Sequence, residues 1–105
     1  MYKVTILLPT HYNDGKIVED WKTENSLNDI ARISGGYTLE DNIIGCFTMS
    51  DGTSKREVNR KIWVVCDKLQ VSKLRILAIH FADDFRQESI FFQVELVNVE
   101  FIGRE

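Results

Sequence analysis

Two strand-like runs, residues 37–50 and 53–66, flank a single Asp51-Gly52 step, and this arrangement constrains the fold more than any other feature of the chain. Asp-Gly is a favoured dipeptide for a two-residue hairpin turn, so the middle of the chain is expected to form one long antiparallel hairpin. Pairing Ser50 with Thr53 and continuing outward sorts the side chains into two sets. One face receives Tyr37, Leu39, Ile43 and Phe47 with Val58, Ile62, Val64 and Cys66. The other receives Glu40, Asn42, Ile44 and Cys46 with Glu57, Lys61, Trp63 and Val65. A slip of one residue would scramble that sorting. Gly45 falls inside the first arm, where glycine marks a bulge or a close approach. Ahead of the hairpin, Gly35-Gly36 offers the left-handed residue on which a helix ends.

The flanking segments supply the remaining elements. "YKVTILLPT" reads as a strand with both faces covered, ended by Pro9. Between residues 17 and 33 the apolar residues scatter around a helical wheel, so a regular helix is expected to start near Ser26, its cap, with Asp29 completing the capping logic, and whether residues 17–21 join it is open. "QVSKLRILAIHFADDFRQ" is the clearest helix: Val71, Leu74, Leu77, Ala78, Phe81 and Phe85 share one face. Ser72 is its expected cap, with Val71 and Ile76 as a hydrophobic staple. In the last strand Ile90, Phe92, Val94 and Leu96 alternate with Phe91, Gln93 and Glu95, and the pattern slips at Val97-Asn98, where a kink is expected. The order βαββαβ predicts an α+β ferredoxin-like sandwich over residues 1–105, one domain with a four-stranded antiparallel sheet and two helices on one face. Right-handed crossovers put the first and third strands in the centre.

Composition narrows the partners. The chain has 105 residues, 44% apolar and 28% charged, and a net charge of −3 with both signs interspersed. A nucleic-acid footprint needs cations gathered on one face, and the densest cluster, "SKREVNRK", reads as a solvated hairpin arm. The apolar run at residues 4–8 is too short for a signal peptide or a membrane span. Two cysteines without a secretion signal predict reduced thiols and a cytoplasmic location.

The segments "GGYT", the internal glycine, "DG" and "FRQES" carry a resemblance. At Gly36, Tyr37, Thr38, Gly45, Asp51, Gly52, Phe85, Gln87, Glu88 and Ser89 the chain resembles a group of small, largely uncharacterised bacterial ferredoxin-like domains. The resemblance implies the fold and carries no activity, cofactor or catalytic residue.

Two helices cover one sheet face, so the other must find company. That open face is expected to gather Glu40, Asn42, Lys61, Trp63, Phe91, Gln93 and Glu95, a polar set around apolar walls of the kind a small-molecule site uses. A cross-strand ion pair of Glu40 with Lys61 beside a dimer seam is the plainer reading. His80, Asp83 and Asp84 share a helix side but provide too few ligands for a metal, and no metal or cofactor is expected. Cys46 and Cys66 are expected on opposite faces as packing residues, without a disulfide. His11 has no nucleophilic partner in sequence. The sequence therefore points to a non-catalytic homodimer that binds a protein partner or a small apolar ligand through its sheet face. The alternative is a small dimeric α+β-barrel-type enzyme in which Glu40, Glu95 or His11 moves protons on an apolar carbonyl-type substrate.

Overall fold

The computed structural model describes residues 1–104. The elements run β1 (Tyr2–Pro9), α1 (Asp20–Ser34), β2 (Thr38–Thr48), β3 (Ser54–Cys66), α2 (Lys68–Asp84) and β4 (Phe92–Leu96). They build a four-stranded sheet in the order β2-β3-β1-β4, with every pairing antiparallel. This is the ferredoxin-like sandwich, and β1 and β3 occupy the centre as their apolar runs required.

One face of the sheet is the core. Val4, Ile6 and Leu8 of β1 stand beside Ile62 and Val64 of β3, and both helices pack over them. Leu27 and Ile30 come from α1; Val71, Leu74, Ala78 and Phe81 come from α2. Phe85, just past α2, is fully buried and meets Phe81 edge-to-face at 6.2 Å. Each such large apolar side chain stabilises the fold by about 1.5–3 kcal/mol through burial.

Helix α1 begins at Asp20, well before the Ser26 start that its periodicity suggested. Its buried stripe is Thr23, Ser26, Leu27 and Ile30, spaced as a helix requires, but half of it is polar. Ser26 is interior, and its hydroxyl donates to the Lys22 carbonyl (2.8 Å) instead of capping. Asp29 pairs with Arg32 at 2.9 Å. The helix ends as expected, with Gly35 left-handed (φ 85°) and its N–H donating to the Ala31 carbonyl.

Helix α2 also starts earlier, at Lys68. Its cap is Asp67, whose carboxylate accepts from the Gln70 N–H (2.8 Å) while the Gln70 side chain accepts from the Asp67 N–H (2.9 Å), a complete capping box. Ser72 instead donates back to the Lys68 carbonyl (3.4 Å), and Ile76 is exposed, so the expected staple does not form. At the other end Arg86 is left-handed (φ 54°). The Gln87 N–H reaches the Ala82 carbonyl and the Arg86 N–H reaches Asp83, the two bonds of a Schellman motif. Arg86 lies over the Tyr12 ring at 4.5 Å, which holds this unusual residue in place.

The hairpin departs from the expected register. Met49 pairs with Thr53 around the three-residue loop Ser50-Asp51-Gly52, with Gly52 left-handed (φ 88°). Thr48 through Ile43 then oppose Ser54 through Asn59. A bulge follows, in which Asp41 and Asn42 together face Arg60, with Asn42 left-handed (φ 59°). Beyond it Glu40, Leu39 and Thr38 oppose Lys61, Ile62 and Trp63. The three-residue loop reverses the expected side-chain sorting between the turn and the bulge, and the bulge restores it beyond. Leu39 faces the core as expected, whereas Ile43, Gly45 and Phe47 turn to the face without helices and Ile44 and Cys46 leave it. The arm overhangs β1, whose last partner in β3 is Asn59, and stretches the molecule to 53 × 28 × 23 Å. Strand β4 is shorter than its alternation implied. It ends at Leu96, and the chain leaves it through a hydrogen bond from the Val97 N–H to the Met1 carbonyl (3.1 Å). Among the described residues no helix is long and apolar enough to cross a membrane.

Candidate functional site

The face without helices is laid out in rows by strand pairing. One row runs Thr38, Trp63, Thr5, Gln93 and another Glu40, Lys61, Leu7. A third joins Val65, Lys3 and Glu95. Phe91 lies beside Leu7, whose N–H donates to its carbonyl (3.3 Å). Glu40, Lys61, Trp63, Phe91, Gln93 and Glu95 therefore share this face, as the sequence suggested. Asn42 sits in the bulge and is exposed.

These residues do not form one pocket. Lys61 and Glu40 make an ion pair of 3.7 Å, and the Lys3 ammonium rests 4.6 Å from the Trp63 ring centre, so the chain itself covers part of the indole. Thr5 between them is buried.

The cavity lies farther along, where the hairpin arm overhangs β1. Its floor is Leu7 and Pro9; the arm contributes Phe47, Met49, Glu57 and Asn59; the far wall is residues 87–91, the segment that leaves α2 through the left-handed Arg86. Its volume is about 200 Å³, open to solvent on one side. Of the residues singled out from the sequence for the face, Phe91 alone lines it.

Three local features build this cavity. The three-residue loop pairs Phe47 with Lys55 and so brings Phe47 onto this face. Gly45 leaves room for the Phe47 ring to fold back, since a Cβ at Gly45 would stand 2.7 Å from a ring carbon. The loop tip is tied to the far wall by Glu88, whose carboxylate accepts from the Ser50 hydroxyl (2.5 Å) and, at 3.3 Å, from the Ser50 N–H. Gln87, Glu88 and Ser89 line the groove and Gly45 stands behind the Phe47 ring, and none of them was assigned to a site from the sequence.

The polar lining is acidic. Glu57 keeps 13% of its side chain exposed, and among the described residues no protein donor hydrogen-bonds its carboxylate. Lys55 stands 3.8 Å away but donates instead to the Asn13 carbonyl (3.2 Å) and side-chain oxygen (2.9 Å). Asn59 is buried, and its amide makes one long contact of 3.5 Å to the Glu57 carbonyl.

The remaining candidates lie elsewhere. His11 is exposed beside a second cavity of about 230 Å³ and shares a hydrogen bond with the Thr10 hydroxyl (2.8 Å). His80, Asp83 and Asp84 lie exposed on α2, and among the described residues no group of three or more His, Cys, Asp and Glu side chains is placed to hold a metal. Cys66 is buried in the core, where desolvation and then the neighbouring Asp67 raise its thiol pKa. Cys46 is exposed on the arm, against the expectation of packing. The three-residue loop turns Cys46 to the helix-bearing side, where Cys66 also lies at the other end of the hairpin, and both are free.

No protein-family model and no curated protein sequence matches the chain. Solved structures do. A phage SAM lyase in complex with S-methyl-5'-thioadenosine superposes with a TM-score of 0.67 at 16% identity, over 90% of this chain and 79% of the lyase. CutA from Xylella fastidiosa gives 0.66 at 9% identity, over 95% and 86%. The divalent cation tolerance protein CutA1 from Thermus thermophilus gives 0.66 at 9%, over 96% and 88%. At these identities the likeness is one of architecture, and by architecture the chain is ferredoxin-like.

Proposed function

We propose that the chain is a non-catalytic binding module that takes a small, largely apolar ligand in the groove between the hairpin arm and residues 87–91. The observation that carries this reading is the cavity itself, with Phe47 and Phe91 set across a floor of Leu7 and Pro9. Such walls with a few fixed polar groups are the usual form of a ligand site. Its volume, about 200 Å³, is below the ~300–1,000 Å³ of sites for drug-sized molecules, so it suits a small molecule or one end of a larger one. The phage lyase of the same architecture was solved with a thioether nucleoside, which makes that compound a reasonable first ligand to try. Glu40 is exposed and already paired with Lys61, an arrangement that favours binding over proton transfer.

The reading includes self-association as a homodimer through the part of the sheet face around Trp63, beside the groove. Leu7, Trp63 and Val65 remain partly exposed on this face and Phe91 is 43% exposed. Titration of isotope-labelled protein with S-methyl-5'-thioadenosine tests the site. Amide shifts concentrated at residues 47–49, 57–59 and 87–91 are expected; shifts elsewhere, or none at saturating ligand, contradict the proposal.

A further inference from the structure

We infer that the groove selects an organic cation, a small amine, quaternary ammonium or sulfonium group held between the Phe47 and Phe91 rings and the Glu57 carboxylate. This rests on the reading of the groove as the ligand site and adds the chemical class of its occupant. The lining contains Glu57 and Glu88 and, among the described residues, no Lys, Arg or His. Two carboxylates in the lining bias the groove toward negative potential, offset in part by Lys55 at 3.8 Å from Glu57, and low-dielectric walls focus it.

Glu57 is the more telling of the two. A largely buried carboxylate normally accepts hydrogen bonds from the protein or a close cation. Lys55, its ion-pair partner at 3.8 Å, lies outside the lining of this groove and directs two of its three N–H donors to Asn13. The acceptor capacity of Glu57 thus remains free for a cavity occupant. Glu88 differs, being satisfied by Ser50 at the rim. Aromatic faces add attraction for an alkylated cation, which sheds its water more readily than a metal ion or a lysine ammonium. Asn59, buried beside Glu57 with one long contact, supplies an orienting polar group.

Calorimetric titration of the whole chain with choline and with its uncharged carbon isostere, 3,3-dimethylbutan-1-ol, tests this at low salt. Choline is expected to bind at least tenfold more tightly, with NMR shifts at the Phe47 and Phe91 rings. Glu57→Gln is expected to weaken choline at least fivefold while leaving the isostere unchanged, with folding verified by its melting curve. The wild-type comparison stands even if that variant fails to fold. Equal affinities, a preference for the isostere, or binding of neither compound overturns the inference. If S-methyl-5'-thioadenosine or the isostere still shifts the groove residues, the inference fails and the ligand site survives. If nothing shifts them, both fail.

Discussion

Gly45 shows how one missing methyl group shapes the groove. A Cβ there would overlap the far end of the Phe47 ring, a part that can swing away without moving backbone. Gly45→Ala is therefore expected to cost less than about 1 kcal/mol in urea unfolding, because the clash is relieved by rotation. The displaced ring should nevertheless weaken ligand binding in the groove, and adding Phe47→Ala should remove the steric part of the stability loss. A second residue-scale prediction concerns pH. The Tyr12 hydroxyl donates to Glu19 at 2.5 Å, and this bond, followed by the backbone and the Lys22 and Arg86 charges, lowers the Glu19 pKa below its ordinary 4.5. A depressed carboxylate pKa stabilises the fold above the unfolded value and loses that effect as pH falls through the folded value. Tyr12→Phe should thus show its largest Glu19-linked stability deficit near neutrality, narrowing on acidification. A deficit that instead grows toward acid would reverse the assignment.

At the scale of elements, the corrected start of α2 makes a clean comparison. Asp67→Ala removes the carboxylate half of a reciprocal cap and is expected to cost about 1 kcal/mol, whereas Ser72→Ala should lie within about 0.5 kcal/mol of wild type. Equal costs would return the cap to Ser72. The bulge allows a similar test. Asn42→Val forces a β-branched residue into a left-handed conformation and should destabilise by about 1–2 kcal/mol, while Asn42→Gly should not. These elements also show what a sequence can reveal. The buried face of α2 and the central places of β1 and β3 were legible because their apolar residues follow one period without interruption. The beginning of α1 was hidden because Thr23 and Ser26 occupy core-facing positions with polar side chains. The hairpin was legible as a hairpin, but its register was not. A three-residue loop and a bulge each shift the pairing, and Asn42 carries no pattern that marks it. Most of the residues placed on the open face do lie there, since two shifts restore the sorting beyond the bulge. The groove was not legible in the sequence because three distant segments build it, joined by Ser50 and Glu88 at the tip.

For the whole molecule, both helices on one side leave the opposite side of the sheet open. The hairpin arm, extending past the end of β1, borders a groove over only part of it. The remainder, around Trp63, is where the homodimer is proposed to form. Trp63→Glu is expected to convert a species of twice the chain mass into single chains in sedimentation, without loss of the folded far-ultraviolet spectrum; a wild type of single-chain mass at all concentrations would remove the dimer. The groove is independent of that outcome, because one chain supplies all of its described lining. Its most direct test is the set of intermolecular NOEs from bound S-methyl-5'-thioadenosine. Contacts to the Phe47 and Phe91 rings are the predicted result, and contacts confined to the helix-bearing side, at Ile76 or Leu96, would contradict it.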